Sequence, residues 1–156
     1  MKPINVMYIS VAGNTRYFIQ NLTEYAEEQH QEQSDNPLIN PIEISDQSDF
    51  EAEENDFFAF VPTYLDGGNG TDNGVKELMT NTLGEYIDYK NNADHCIGVI
   101  GSGNKNFNDQ YCLTAKRYAK MFNAPFITDF ELRGSNSDIV RVYNELKTNN
   151  LSKTAK

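Results

Sequence analysis

Apolar and polar positions follow two periods along this chain, one typical of buried strands and the other of amphipathic helices. Five short, nearly continuous apolar runs predict strands that are covered on both faces, as in a parallel sheet. These runs cover residues 4–10, 38–44, 57–61, 95–100 and 126–132. Apolar residues at helical spacing predict four helices between and after the strands, beginning near Thr15, Val75, Tyr111 and Ser135.

The order of these elements predicts the fold. Strands and helices alternate except between the second and third strands, where residues 43–56 contain seven acidic residues and no basic one. We expect a solvated connector there. The alternation predicts an α/β fold, a doubly wound five-stranded parallel sheet with the flavodoxin-like order 2-1-3-4-5. Residues 1–156 are expected to form a single domain.

Two local patterns add detail to this fold. Pro41 lies within the second apolar run, and proline inside a strand predicts an edge position in the sheet. Ser135 and Asp138 have the spacing of a capping box at the start of the last helix.

Composition limits the partners and the location. The net charge is −10, and an anionic surface repels both nucleic acid and anionic membranes. We therefore expect no nucleic-acid and no membrane partner.

Cys96 and Cys112 form no CxxC pair and are expected to be inert thiols in a reducing cytoplasm. The N-terminal apolar run is too short for a signal peptide, and no run approaches the ~20 residues of a membrane span.

The charge is unevenly distributed along the chain. Residues 1–100 contain 18 of the 23 acidic residues but only 4 of the 13 basic ones. This uneven charge distribution either serves solubility alone or orients the protein toward a charged partner. The sequence leaves both interpretations open.

The loop after the first strand, SVAGNT, carries the groups that bind a phosphate. Gly13 permits a close backbone approach, Ser10 and Thr15 offer hydroxyls, and Asn14 offers an amide. The helix that follows directs its unpaired N–H groups and positive dipole end at the anion. The candidate phosphate site comprises Ser10, Val11, Ala12, Gly13, Asn14 and Thr15. The alternative is an ordinary strand-to-helix turn with Asn14 or Thr15 as the N-cap.

Two further loops suggest that the phosphate belongs to a flavin. Tyr64 follows the third strand and can stack on an isoalloxazine ring. Gly67 and Gly68 behind it allow a peptide beside the ring to flip, although a flexible glycine-rich loop is the alternative.

The third loop, GSGNKNFNDQ, follows the fourth strand. Its glycines can lie against the ring edge, and Asn104 can bind the pyrimidine carbonyls together with backbone amides. Phe107 or Tyr111 would form a second aromatic wall. The candidate residues of this loop are Ser102, Gly103, Asn104, Phe107 and Tyr111. All three loops leave the carboxyl edge of the predicted sheet, which points to a bound flavin that carries a phosphate.

No side-chain set for acid–base, nucleophilic or metal catalysis stands out. His30 and His95 are the only histidines, and we expect both to be structural or surface residues. A bound flavin would carry the electrons, and the protein would tune and expose it.

The first loop resembles the phosphate loop of flavodoxins. More specifically, GVIGSGNKNFNDQYC (residues 98–112) and FITDFELRGSNSDI (residues 126–139) resemble the NrdI family, and the similarity covers nearly the whole chain. The resemblance implies an activator of class Ib ribonucleotide reductase. Its reduced FMN, supplied with electrons by a reductase, reacts with oxygen to give a superoxide-level oxidant. That oxidant assembles the dimanganese–tyrosyl radical cofactor of the radical subunit.

One departure from the family and two alternatives stay open. The loop after the third strand is longer than expected for the family and carries Asp66 and Asp72, whose charges oppose that of Lys105 in their effect on a flavin potential. The main alternative is a conventional flavodoxin that carries single electrons. A flavin-free response-regulator domain is disfavoured because the first strand ends in Ser10 and not in an acidic pair.

Overall fold

The computed structural model describes residues 3–9, 13–44, 51, 53, 55–62, 82–103, 113–131 and 133–154. Within these ranges, strands and helices follow one another in the predicted order. The elements are β1 (Ile4–Tyr8), α1 (Asn14–Glu32), β2 (Ile39–Glu43), β3 (Phe57–Pro62), α2 (Thr82–Asp88), a 3-10 turn (Asn92–His95), β4 (Cys96–Gly103), α3 (Leu113–Met121), β5 (Phe126–Glu131) and α4 (Asn136–Thr154).

The five strands form one parallel sheet in the order β2-β1-β3-β4-β5, which confirms the predicted topology. β3 lies at the centre and is buried at all six positions, as its unbroken apolar sequence predicts. β2 lies at the edge, and the prediction from Pro41 is confirmed. An edge strand has a neighbour on one side only, so it tolerates a residue without an N–H donor.

Two hydrophobic cores cover the two faces of the sheet. Alternate residues of β1 and of the position after it enter different cores: Val6 and Tyr8 pack with α1 and α4, whereas Met7 and Ile9 pack with α2 and α3. In the first core, the ring of Phe18 on α1 stacks on Phe130 of β5 with centroids 3.7 Å apart and planes 7° from parallel. This contact fixes the first turns of α1 against the sheet.

The acidic connector before β3 is held by one buried side chain. Asn92 is fully buried, and its Oδ1 accepts the backbone N–H of Glu53 at 2.6 Å. Its Nδ2 donates to the backbone oxygens of Glu51 at 2.9 Å and Tyr86 at 2.8 Å. The predicted solvated loop fits the exposed Glu51 but is wrong for Glu53, which is partly buried, and burial raises the pKa of its carboxyl.

The end of β4 lies three residues beyond the predicted one. Gly101 to Gly103 belong to β4 and not to the following loop, because Gly101 is aligned with Val61 on one side and Asp129 on the other. Pairing on both sides outweighs the preference of glycine for loops. The helix expected from Val75 is described only from Thr82 onward, and the earlier part of that prediction lies outside the described residues.

The predicted capping box at the start of α4 is confirmed. The backbone N–H of Ser135 donates to Asp138 Oδ2 at 2.9 Å, and the backbone N–H of Asp138 donates to Ser135 Oγ at 3.3 Å. Burial raises the pKa of Asp138, but hydrogen bonds from Arg141 and Ser135 outweigh it, so the net shift is downward.

We expect Asp138→Ala to lower the free energy of unfolding by about 1 kcal/mol at neutral pH, because the carboxylate that accepts the Ser135 backbone N–H is lost. Because the folded pKa is lowered, this contribution is present above the ordinary aspartate pKa and is lost as the pH falls through the folded one. Urea unfolding of both proteins at several pH values will measure it, with the exposed Asn144→Ala of the same helix as control. A difference that does not shrink below about pH 4 would contradict the assignment.

Candidate functional site

The ends of three strands meet at the carboxyl edge of the sheet. Tyr8 is aligned with Phe60, and Pro62 with Ser102, so β1, β3 and β4 end at similar heights. β1 and β3 are neighbours, but the chain continues from β1 outward to β2 and from β3 outward to β4. Ligands of open α/β sheets bind at such a switch point.

Helix α1 begins at this edge in a geometry suited to an anion. Gly13 is the N-cap and has φ 89°, a left-handed conformation that favours glycine. The N–H of Tyr17 donates to the Gly13 carbonyl at 3.0 Å. Within the described part of the chain, no side chain caps this helix, and its first turn has no acidic residue. Gly13, and not the predicted alternatives Asn14 or Thr15, is therefore the N-cap of this helix. The N-terminus of a helix offers backbone N–H donors and a positive dipole end to an anion.

Thr15 supplies the most informative side chain of the site. The residue is 1% exposed, and its Oγ1 has no hydrogen-bond partner among the residues that the structure describes. A buried hydroxyl without a partner costs free energy and is rare in native proteins. A phosphate oxygen at the N-terminus of α1 would accept this hydroxyl hydrogen, so Thr15 fits the predicted phosphate group.

Arg133 brings a positive charge to the same helix end. Its Nε donates to Asn14 Oδ1 at 3.4 Å, and its guanidinium lies 5.4 Å from the centroid of the Tyr17 ring. Arg133 is not among the site residues predicted from the sequence, although its position in the ELRG run of the second family-like segment was an available signal. The contact orients the Asn14 amide and adds a favourable field for an anion.

Gly134 makes this approach of Arg133 possible. It has φ 75°, and a Cβ there would lie 2.5 Å from Phe18 Cδ2. The loop between β5 and α4 thus passes directly over the α1 side chain that stacks on Phe130. Only glycine fits both this backbone conformation and this space.

The structure also places part of the predicted flavin-binding set. Ser102 and Gly103 are the last residues of β4, with Ser102 buried and Gly103 partly exposed at the same edge as the start of α1. Together with Gly13, Asn14 and Thr15, they are the predicted site residues within the described ranges. The other predicted ones lie outside these ranges: Ser10, Val11, Ala12, Tyr64, Gly67, Gly68, Asn104, Phe107 and Tyr111.

The remaining chemistry-bearing residues fit structural roles. Burial raises the pKa of the Cys96 thiol to about 11, which makes it a poor nucleophile and agrees with the expected inert thiol. Cys112 lies outside the described residues. The Nδ1 atoms of His30 and His95 lie 2.9 Å from the Asn36 carbonyl oxygen and 3.1 Å from Asp56 Oδ1, respectively.

The described residues contain no group of three or more His, Cys, Asp or Glu side chains arranged to hold a metal ion. In the same part of the chain, every helix is too short or too polar to cross a bilayer.

Comparisons with known proteins agree with the segment resemblances. A family model described as NrdI flavodoxin-like matches residues 6–144. An NrdI-like protein of Streptococcus pyogenes serotype M18 is 49% identical over 142 residues, which are 91% of each chain. The protein NrdI of Mycoplasma genitalium is 31% identical over 137 residues, covering 88% of this chain and 78% of its own.

Solved structures show the same fold at lower identity. A short-chain flavodoxin associated with a bacterial microcompartment superimposes with a TM-score of 0.64 at 21% identity, over the full length of both chains. A flavodoxin of Streptococcus pneumoniae TIGR4 gives a TM-score of 0.57 at 19% identity, over 94% of this chain and 96% of its own. Both similarities establish the flavodoxin-like architecture.

Proposed function

Because this chain belongs to the NrdI flavodoxin-like family, we propose that it binds FMN and activates a class Ib ribonucleotide reductase. In this role it supplies a superoxide-level oxidant to the dimanganese radical subunit, where the oxidant assembles the tyrosyl radical. A separate reductase donates the electrons, and the reaction takes place in the cytoplasm.

The observation that carries the FMN assignment is the buried hydroxyl of Thr15 at the N-terminus of α1, which has no hydrogen-bond partner among the described residues. The phosphate of FMN supplies the acceptor that this hydroxyl lacks among the described residues. Asn14, oriented by Arg133, and the backbone at Gly13 complete the described part of the phosphate site. Ser10, Val11 and Ala12 are proposed to close it from the strand side.

The flavin ring is proposed to lie where β3 and β4 end. Ser102 and Gly103 bound this position from β4, and a strand end without bulky side chains lets the ring edge approach the backbone. Tyr64, Phe107 and Tyr111 are proposed as its stacking partners, with Gly67, Gly68 and Asn104 around the ring edge. Bound FMN would supply the electrons that reduce oxygen.

The protein's own contribution is binding, orientation and partner contact. Helix α1 presents N–H donors, a dipole and one buried hydroxyl to an anion, and these groups hold a phosphate without a lysine clamp. The uneven charge, with most acidic residues in residues 1–100, is proposed to orient the molecule on the radical subunit.

Electron paramagnetic resonance tests this function directly. The FMN-reconstituted protein is reduced without oxygen, mixed with a manganese-loaded class Ib radical subunit and then exposed to oxygen. We expect a tyrosyl radical that requires both the protein and FMN. The apoprotein, treated in the same way, is the control.

Two negative results lead to different conclusions. If FMN binds but no radical forms, and the subunit is competent with another activator, the protein is better described as an electron-carrying flavodoxin. If the protein binds no FMN, the flavin assignment itself is wrong.

A further inference from the structure

A single carboxylate connects the three elements around the start of α1. The Glu43 Oε1 atom accepts the Tyr8 hydroxyl at 2.9 Å and the Arg16 Nε–H at 2.9 Å. Its Oε2 accepts from Arg16 Nη2 at 2.7 Å, so the arginine is held by both carboxylate oxygens. Tyr8 is the last residue of β1, Glu43 the last of β2, and Arg16 lies in the first turn of α1.

These partners lie on both sides of the candidate phosphate site. Tyr8 precedes it and Arg16 follows Thr15 directly, so one carboxylate holds the chain before and after the segment. The backbone N–H of Ile44 also donates to the Tyr8 carbonyl at 2.8 Å, which extends the pairing of β1 and β2 to this point. The distance between the end of β1 and the first turn of α1 is therefore set at the edge strand.

The protonation states keep this network intact at neutral pH. The hydrogen bonds from Arg16 lower the pKa of the Glu43 carboxyl, and this effect outweighs burial, so the group stays ionised. Burial and the neighbouring Glu43 carboxylate raise the pKa of Tyr8 to about 12, so its hydroxyl keeps the proton that it donates.

We propose that Glu43 is a positioning residue for the phosphate site, holding the end of β1 and the first turn of α1 at the separation that FMN requires. This inference rests on the proposed FMN binding. The proposal also gives Arg16 a role. Its guanidinium binds the Glu43 carboxylate of the edge strand, and the phosphate is left to neutral donors of α1. Glu43 itself acts through Tyr8 and Arg16 and needs no contact with the ligand.

The test compares two flavins that differ in the phosphate. Binding of FMN and of riboflavin to the apoprotein is measured by quenching of flavin fluorescence. We expect Glu43→Gln to weaken FMN binding about five- to tenfold, the range for one lost hydrogen bond. Riboflavin binding should be unchanged, because this ligand has no phosphate to position.

The variants Tyr8→Phe and Arg16→Met test whether the contacts of Glu43 with Tyr8 and with Arg16 depend on each other. Tyr8→Phe removes one hydroxyl and keeps the ring in the core, so it also serves if Glu43→Gln folds poorly. Breaking either contact frees one side of the segment. We therefore expect Tyr8→Phe to weaken FMN binding in the wild-type background but to add nothing in an Arg16→Met background.

Arg141→Met is the matched control. Arg141 binds Asp138 at 2.7 Å on α4, and its side chain is 42% exposed, close to the 47% of Arg16. Loss of this ion pair should leave FMN affinity unchanged.

Several results would overturn the proposal, and they differ from one another. Tighter FMN binding in Glu43→Gln would show that a released Arg16 attracts the phosphate and that Glu43 opposes binding. Equal losses for FMN and riboflavin would reduce Glu43 to general support of the fold, and unchanged FMN affinity would show that the contacts position nothing. A wild-type protein that binds neither flavin would refute the proposed function, and this inference with it.

Discussion

Thr15→Val will weaken FMN binding about ten- to hundredfold, the cost of one hydrogen bond to a charged group. Valine has nearly the same shape as threonine and is also β-branched, so the helix and the core contacts remain. The substitution removes only the hydroxyl, which is buried and has no partner in the described part of the structure. Affinity measured by fluorescence quenching will fall for FMN and stay the same for riboflavin.

The same substitution will have the opposite sign in stability. Without a ligand, the wild-type protein keeps a buried hydroxyl that finds no acceptor among the described residues and has lost its water. Thr15→Val removes that penalty, so we expect the apoprotein to be about 1 kcal/mol more stable to urea. A site residue that destabilises the free protein and stabilises the complex is typical of a binding function.

Thr23→Val is the matched control on the same helix. The Thr23 hydroxyl is partly buried and donates to the Ile19 carbonyl at 2.8 Å, so its hydrogen bond is satisfied within α1. The variant should bind FMN as the wild type does and be no more stable than it. If Thr15→Val binds FMN normally, the phosphate is not at this helix end.

The fold was predictable because its signals are strong and local. The unbroken apolar run of β3 requires cover on both faces, and the alternation of elements leaves few topologies once crossovers are right-handed. Pro41 identified the edge strand, and Ser135 with Asp138 identified the start of α4. Each of these features depends on residues close together in sequence.

The site was predictable in part, and what was missed depends on long-range contacts. The hydroxyl and glycine of the first loop predicted a phosphate site, and the structure adds that Thr15 is buried and that Gly13 has a positive φ. The contact between Arg133 and Asn14 joins residues 119 positions apart, and that between Glu43 and Arg16 spans 27. Pairs of exposed charged and polar residues at such separations leave no periodic signal in a single sequence.

The extent of β4 was missed for the same reason. Gly101 and Gly103 have the composition of a loop, and only the strands on either side show that they belong to the sheet. The prediction from local composition was therefore wrong by three residues at the point where the sheet meets the site.

Gly134→Ala will lower the free energy of unfolding by about 2–5 kcal/mol, because two separate costs add. An alanine at φ 75° is strained, and its Cβ would lie 2.5 and 2.7 Å from two atoms of the Phe18 ring. That ring is fully buried and stacked on Phe130, so it has no room to retreat. Urea unfolding of the apoprotein will measure the loss.

Gly13→Ala separates the two costs. Gly13 also has a positive φ, 89°, but a Cβ there would meet no atom of the described residues within 4 Å. This variant should lose only the backbone term, about 1–2 kcal/mol. If the two variants lose equal stability, the contact with Phe18 relaxes at no cost and the packing argument for Gly134 is wrong. The effects on FMN affinity should have the opposite order, since Gly13 belongs to the proposed phosphate site whereas Gly134 reaches that site only through the neighbouring Arg133. A larger loss of FMN affinity in Gly13→Ala than in Gly134→Ala, with the larger loss of stability in Gly134→Ala, would place the two glycines in different roles.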